Sequence, residues 1–336
     1  MSYLDDLIND VRKQIEPDEE VLKEARVRLQ VVRDAAATFH GALRTYRSGS
    51  LAAHTMNEPI ADGDGGLVLN RNYYPTLGPE GKDETPTEVT DDLIEHIRPK
   101  IREKYPNASM WRSKRGPMIR FGNPINDIDP TVDLVVAMNR KEGSGLWIPN
   151  LVADTWEASD PEQHVELLNG DSDAFRATRR KIIRLAKSWN GGFKDSGASS
   201  FLISVWAYEF VEIGQGVTKG LWSLFDQAAT RLEGSERTED PAGVSPDLQP
   251  QIPHERMAKR LRLAATHLEN AMKSDDENEI RKELSLVFKD QVQSAETAAL
   301  KSSISLVGSG AAVKAAAIGV GVTAASGAAY RAFGGN

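Results

Sequence analysis

Two carboxylates one residue apart, Asp62 and Asp64, stand in the run Asp-Gly-Asp-Gly-Gly-Leu-Val-Leu. On a β-strand alternate side chains share a face, so the pair projects to one side. Two like charges held that close are costly unless a cation lies between them. Oxygen-only ligands suit Mg²⁺ or Mn²⁺. Just upstream, Gly49-Ser50 offers backbone N–H groups and a hydroxyl to phosphate oxygens. A third acid, Asp133, interrupts Thr131-Val-Asp-Leu-Val-Val-Ala-Met138, the most strand-like run of the chain. A charge inside an apolar strand is costly unless it is paired or ligates a metal. These residue types at these spacings suit metal-assisted phosphoryl or nucleotidyl transfer. Asp and Gly also dominate ordinary turns, so the first stretch equally describes a loop, and Asp133 equally describes a core acid with a local partner.

The elements that must position these residues follow from periodicity. Residues 3–46 read as helix, divided at Pro17 with Asp18 at the second start, and ending at Ser48-Gly49-Ser50. Leu67-Val68-Leu69 reads as a short strand. Residues 70–90 read as an exposed loop, after which Thr90 or Asp91 caps a helix through Ile97, with Pro99 inside it or near its end. Trp111 to Phe121 reads as a strand pair, or as one strand broken at Gly116-Pro117. Gly143-Ser-Gly145 starts a loop. From Asp171 to Asn190 a helix carries Phe175, Ile182, Leu185, Ala186 and Trp189 on one face and Arg176, Arg180, Arg184 and Lys187 on the other. A solvated face is one reading of that basic stripe and phosphate binding is the other. Ser196-Gly-Ala-Ser199-Ser200 caps a helix over 201–211, whose N-terminus suits an anion. Residues 233–253 read as a long loop and 254–300 as helix.

Charge and composition narrow the functional classes. The net charge of −8 in 336 residues excludes a general nucleic-acid coat, though not a local basic groove. Without cysteine there is neither a disulfide nor a thiolate metal site, which fits a reducing cytoplasm. The acidic start, Met-Ser-Tyr-Leu-Asp-Asp-Leu, is unlike a secretory signal. From 308 onward Ala, Gly, Val and Ser prevail; the uncharged run between Lys314 and Arg331 is too short and too Gly-rich for a membrane span, so a flexible tail without stable membrane insertion is expected.

The ordered set Gly49-Ser50, Asp62-x-Asp64 and Asp133 resembles the nucleotidyltransferases of the polymerase-beta-like superfamily. More narrowly it is similar to the CD-NTases of bacterial anti-phage defence, the DncV-like relatives of cGAS and oligoadenylate synthase. Arg115-Gly-Pro-Met-Ile-Arg-Phe leading into the Asp133 strand resembles the strand pair that carries the third acid. Ile148-Pro-Asn, Trp156, Asp160-Pro161 and His164 resemble the segment after it. Arg184-Leu-Ala-Lys187-Ser-Trp189-Asn190 and Ser199-Ser-Phe-Leu-Ile resemble the helices that hold the donor triphosphate. The likeness covers roughly residues 40–230; each motif is weak alone and the ordered set is fairly specific. Two details depart from the common pattern: His54-Thr55 stands where other members often have Arg-Gly, and Gly65-Gly66 replaces bulkier strand residues.

The resemblance implies an α+β fold with a small mixed sheet, flanking helices and a C-terminal helical domain. The expected organisation is N-terminal helices over 1–48, a catalytic core over 49–150, helices completing the cleft over 151–305 and a tail over 306–336. Asp62, Asp64 and Asp133 would hold two Mg²⁺ or Mn²⁺ ions. Gly49 and Ser50 would cradle phosphates, and Lys187 with Ser199 or Ser200 would grip the triphosphate. The implied activity is a cytoplasmic enzyme joining nucleoside triphosphates into an oligonucleotide, favoured as cyclic, sensed by a separate effector; a homo-oligomer is compatible. A second product is single-stranded DNA primed from Tyr330, as in the Hailong-type subgroup. Phe333-Gly-Gly-Asn336 also looks like tails that partner enzymes conjugate, apart from its terminal Asn. Simple docking of the tail is the plainer role for Tyr330. A reading from another class is a non-catalytic nucleotide-binding or antitoxin-like partner, since fold alone does not establish activity.

Overall fold

The computed structural model describes residues 2–81 and 84–293. Tyr330 and the expected tail, 306–336, lie outside the described residues. In chain order the elements begin with α1 (Tyr3–Gln14), α2 (Glu19–Ala37), β1 (Ala42–Ser48), α3 (Gly49–Ala53) and β2 (Asp62–Leu69). Next come α4 (Pro86–Lys104), β3 (Ser109–Arg112), β4 (Pro117–Arg120), β5 (Thr131–Asn139), β6 (Leu146–Asn150) and β7 (Thr155–Ser159). The rest is helical: α5 (Pro161–Asn169), α6 (Asp173–Gly191), α7 (Ser200–Phe210), α8 (Val217–Glu233), α9 (His254–Lys273) and α10 (Glu277–Val287).

The sheet runs β1-β2-β5-β4-β3, with β6 pairing β5 and β7 pairing β6. β2 and β5 are parallel and the other pairs antiparallel. The fold is therefore the expected α+β arrangement of a small mixed sheet with flanking helices. One face of the sheet packs on α2 and α4, burying Leu29, Val32, Leu93 and Ile97 against Leu67, Val132, Leu134 and Val136. The opposite face carries a smaller cluster of Tyr46, Val68, Ala137, Leu146 and Ile148. A separate helical core joins α1 to α6–α10, centred on Leu185, Trp206, Phe225 and Leu261.

Three expectations are corrected. Residues 42–48 form β1 rather than the end of a helix: Gly41 at φ +72° breaks the helical path, and Thr45 and Tyr46 suit a half-buried sheet edge. The fourth helix begins at Pro86, before Thr90 and Asp91, because Thr85 and Glu88 form a reciprocal capping box. Its Pro99 lies inside the helix. Within the described part of 254–300, the helix breaks between Lys273 and Glu277 and α10 ends at Val287. The two readings left open at Trp111–Phe121 resolve to a strand pair.

A fully buried arginine anchors the approach to β5. Arg28 of α2 pairs with Glu24 at 3.1 Å and Asp129 at 2.6 Å, and donates to the carbonyls of Pro130 (2.8 Å) and Asn123. Its guanidinium lies over Phe121 at 4.8 Å. Burial pushes the Asp129 carboxyl up, but the Arg28 bond and the Gly122 N–H outweigh it and hold the group below its ordinary value. This network fixes the loop that delivers the start of β5.

Candidate active site

Asp62 and Asp64 lie on β2 itself, not in a loop, and so point to one face. The parallel register pairs Asp64 with Asp133 of β5. Alternation then settles the faces. Val132, Leu134 and Val136 enter the helix-side core, while Thr131, Asp133 and Val135 lie on the opposite face, where Val135 packs on the smaller cluster. All three acids therefore stand on one face of two hydrogen-bonded strands, opposite the face that packs on α2 and α4.

Their electrostatics reflect crowding. Burial first, then Asp62 and Asp133, push the Asp64 carboxyl up to about 7. Burial raises Asp133 to about 6 even though Ser113 Oγ donates to its Oδ1 at 3.0 Å and Arg115 lies near. Burial raises Asp62, against the pull of Lys187. Among the described residues, no three His, Cys, Asp or Glu side chains converge around one ion-sized point as they stand. The donor set nevertheless suits a hard divalent cation: three oxygen ligands, on strands about 4.8 Å apart, whose charges oppose one another.

Gly49 closes against this cluster. It adopts φ +65°, and a Cβ there would lie 1.8 Å from Asp64 Oδ2. Glycine is required both by the left-handed backbone and by the approach to the acid. Ser50 follows in α3, which is only one short turn, and its carbonyl accepts the Thr55 N–H at 2.9 Å. Two strand positions beyond Asp64, a Cβ on Gly66 would fall 2.1 Å from Tyr46 Cζ, so the buried Tyr46 ring occupies the place of a side chain there. The Tyr46 hydroxyl is buried without a hydrogen-bond partner, and burial raises its pKa.

Lys187 reaches the same cluster from α6. Its Nζ donates to Thr55 O and Thr55 Oγ1, both at 3.2 Å, and Asn57 Nδ2 donates to Arg184 O at 2.9 Å. Burial lowers the Lys187 ammonium to about 8 although Asp64 and Asp62 oppose the shift. The basic stripe is thus not a solvated face. Arg176, Arg180 and Arg184 are all part-buried, and the Nε atoms of Arg180 and Arg184 are buried without partners. Burial and the nearby Arg180, Arg26, Arg184 and Arg176 hold the His54 imidazole below its ordinary pKa. Those arginines form a basic wall beside Lys187, partly neutralised within the chain where Arg176 pairs with Asp173 and Arg184 with Glu16 at 4.0 Å.

Ser199 and Ser200 are placed differently. Ser199 caps α7, accepting the Leu202 N–H at 3.1 Å, and Ser200 is exposed. Among the described residues neither hydroxyl bonds to Lys187 or to an acid. Their loop is tied to α6 by Asn190, one turn beyond Lys187, whose Oδ1 accepts the Gly197 N–H at 2.9 Å and whose Nδ2 donates to Ala198 O at 2.8 Å. Sequence reasoning assigned no site role to Ser113, Thr55 or Tyr46. Ser113 meets Asp133 and Thr55 meets Lys187 through their hydroxyls; Thr55 had a visible signal in the His54-Thr55 departure and Tyr46, paired in register with Gly66, in the Gly65-Gly66 departure.

No protein-family model and no curated protein matches the chain. Solved structures do. The CD-NTase CdnG of Bradyrhizobium diazoefficiens, solved in complex with GTP, superposes with a TM-score of 0.66 at 14% identity, over 89% of this chain and 99% of that one. The CdnC of E. coli MS115-1, solved with ATP, gives 0.64 at 13% identity over 85% and 98%. The CdnE cyclic dinucleotide synthase of Elizabethkingia meningoseptica, solved with GTP and Apcpp, gives 0.54 at 17% over 76% and 96%. The chain has the fold of these CD-NTases.

Proposed function

We propose that this protein is a metal-dependent nucleotidyltransferase that joins nucleoside triphosphates and releases pyrophosphate. The observation that carries the reading is the register of Asp64 against Asp133 on adjacent parallel strands, with Asp62 on the same face. The similar structures solved with GTP or ATP support a nucleotide in the cleft beside those acids.

Asp62, Asp64 and Asp133 would hold two Mg²⁺ or Mn²⁺ ions, which when bound supply Lewis-acid activation and charge neutralisation at the transferring phosphate. The residues of the chain do the rest. Lys187 and the arginines of α6 attract the triphosphate of the donor, and Gly49 leaves room for it beside Asp64. Ser199 and Ser200, at the start of α7, would meet its outer phosphates. An acceptor hydroxyl attacks the α-phosphorus: a new O–P bond forms, the α–β bridging bond breaks, and pyrophosphate leaves with the electron pair. Asp133, on the acceptor side, would take the hydroxyl proton as a carboxylate held ionised by the cation.

The product and its use follow the same reading: an oligonucleotide signal, cyclic in the favoured form, for a separate effector in anti-phage defence in the cytoplasm. Incubation with labelled NTPs and dNTPs, followed by separation of free from protein-bound label, tests it. Free phosphatase-resistant product supports the cyclic signal. Protein-bound label lost in Tyr330→Phe supports the primed DNA product instead. Neither pyrophosphate nor product with any nucleotide mixture leaves a non-catalytic nucleotide-binding role.

A further inference from the structure

A straight row of side chains crosses the sheet through the acids. Ser48 of β1 is registered against Asp64, Asp64 against Asp133, Asp133 against Met118 of β4, and Met118 against Trp111 of β3. Registered partners share a face, so all five belong to the face that carries the acids. The neighbours of Trp111 agree. Met110 packs into the helix-side core and Arg112 pairs with Asp91 of α4 at 3.3 Å, so the residue between them turns the other way. Trp111 is 46% exposed, and among the described residues no aromatic or cationic side chain stacks on it.

The two ends of this row differ in chemistry. At the β1 end stand Gly49, against Asp64, and the Lys187 ammonium with its arginine wall. That end suits phosphates. At the β3 end an indole lies two strand spacings from Asp133, about 10 Å at the Cα atoms. Met118 between them is part-buried and apolar. A nucleoside whose hydroxyl lies at Asp133 and whose triphosphate cannot use the phosphate end would extend its base toward β3. An exposed indole supplies a flat π-face there, which stacks on any base.

We infer that Trp111 is the stacking platform for the base of the acceptor nucleotide, positioning it so that its hydroxyl meets Asp133. This rests on the nucleotidyl-transfer reading. Because stacking tolerates every base, Trp111 fixes position and affinity rather than base identity.

Trp111→Ala and Trp111→Phe, assayed for pyrophosphate release against nucleotide concentration and for binding of a non-hydrolysable NTP analogue, test this. The wild-type chain is expected to bind two analogues. Trp111→Ala is expected to keep the donor event, lose the second, and raise the KM roughly ten- to hundredfold with the rate recovering at high nucleotide. Trp111→Phe is expected to restore most of both. If wild type turns over and Trp111→Ala matches it in KM and in both binding events, the stacking role is wrong while nucleotidyl transfer stands. If wild type neither binds nucleotide nor releases pyrophosphate, nucleotidyl transfer fails and the stacking role with it.

Discussion

Asp64 and Asp133 stand opposite each other in the parallel register of β2 and β5, although 68 residues of chain separate the two strand segments' acids from one another only by way of α4, β3 and β4. The pairing brings together charges that the isolated chain has no reason to hold close. It stores electrostatic cost at the one place where a divalent cation relieves it.

That cost is measurable. Burial and its neighbours raise the Asp64 pKa from 3.8 to about 7. A carboxyl raised in the folded state contributes stability that is present below its unfolded pKa and is lost as pH rises through its folded one. Metal-free protein is therefore expected to lose stability from pH 4 toward pH 8. Asp64→Asn should melt several degrees higher than wild type at pH 8 and about equally at pH 4. Mg²⁺ should raise the melting temperature of wild type and do little for the variant. Calorimetry at both pH values checks this, and a variant that melts lower at pH 8 contradicts it.

Much of the site was legible because its residues are local in sequence. Asp62-x-Asp64 needs only strand periodicity, and Asp133 advertises itself as a lone charge in an apolar run. The inward turn of Arg180, Arg184 and Lys187 was not legible. A helix shows two faces in sequence, but only the packing of α6 on the segment 54–57 reveals that its basic face is covered. The sequence carries the second helix on to residue 46 and stops it at Ser48-Gly49-Ser50, while the actual break depends on the backbone of Gly41. Arg28 escaped notice because a buried arginine looks like a surface one until Asp129, Asn123 and Pro130 close around it.

Lys187→Met is expected to weaken triphosphate binding at least tenfold while leaving nucleoside binding unchanged, since a buried charge-assisted contact is lost. The ammonium is lowered to about 8 in the free protein. Wild-type affinity for an NTP should therefore fall as pH rises through 8, and that fall should vanish in the variant. Isothermal titration with NTP and with the nucleoside separates the two effects.

Gly66→Ala should be destabilising by about 1–3 kcal/mol, because the new methyl group meets the Tyr46 ring. Combining it with Tyr46→Leu should recover part of the loss, the interaction expected of residues in contact. Denaturant unfolding of the two single variants and the double one reads this out; strict additivity counts against the packing assigned to this pair.

Arg28→Met should cost about 3–5 kcal/mol by leaving Glu24 without a cation and Asp129 with only the exposed Arg120 at 3.4 Å. The lowered Asp129 pKa adds stability above 3.8 that is lost as pH falls through its folded value. Wild type should thus lose stability below pH 4 more steeply than the variant in an acid unfolding titration.

The central claim is that three carboxylates on one sheet face run metal-dependent nucleotidyl transfer. Its most direct test is pyrophosphate release from mixed NTPs and dNTPs by wild type and Asp133→Asn, with Mg²⁺ and with chelator. Release by wild type only with Mg²⁺, and a loss of more than about a hundredfold in Asp133→Asn, is the predicted result. Equal release by the two proteins, or release unaffected by chelator, would contradict it.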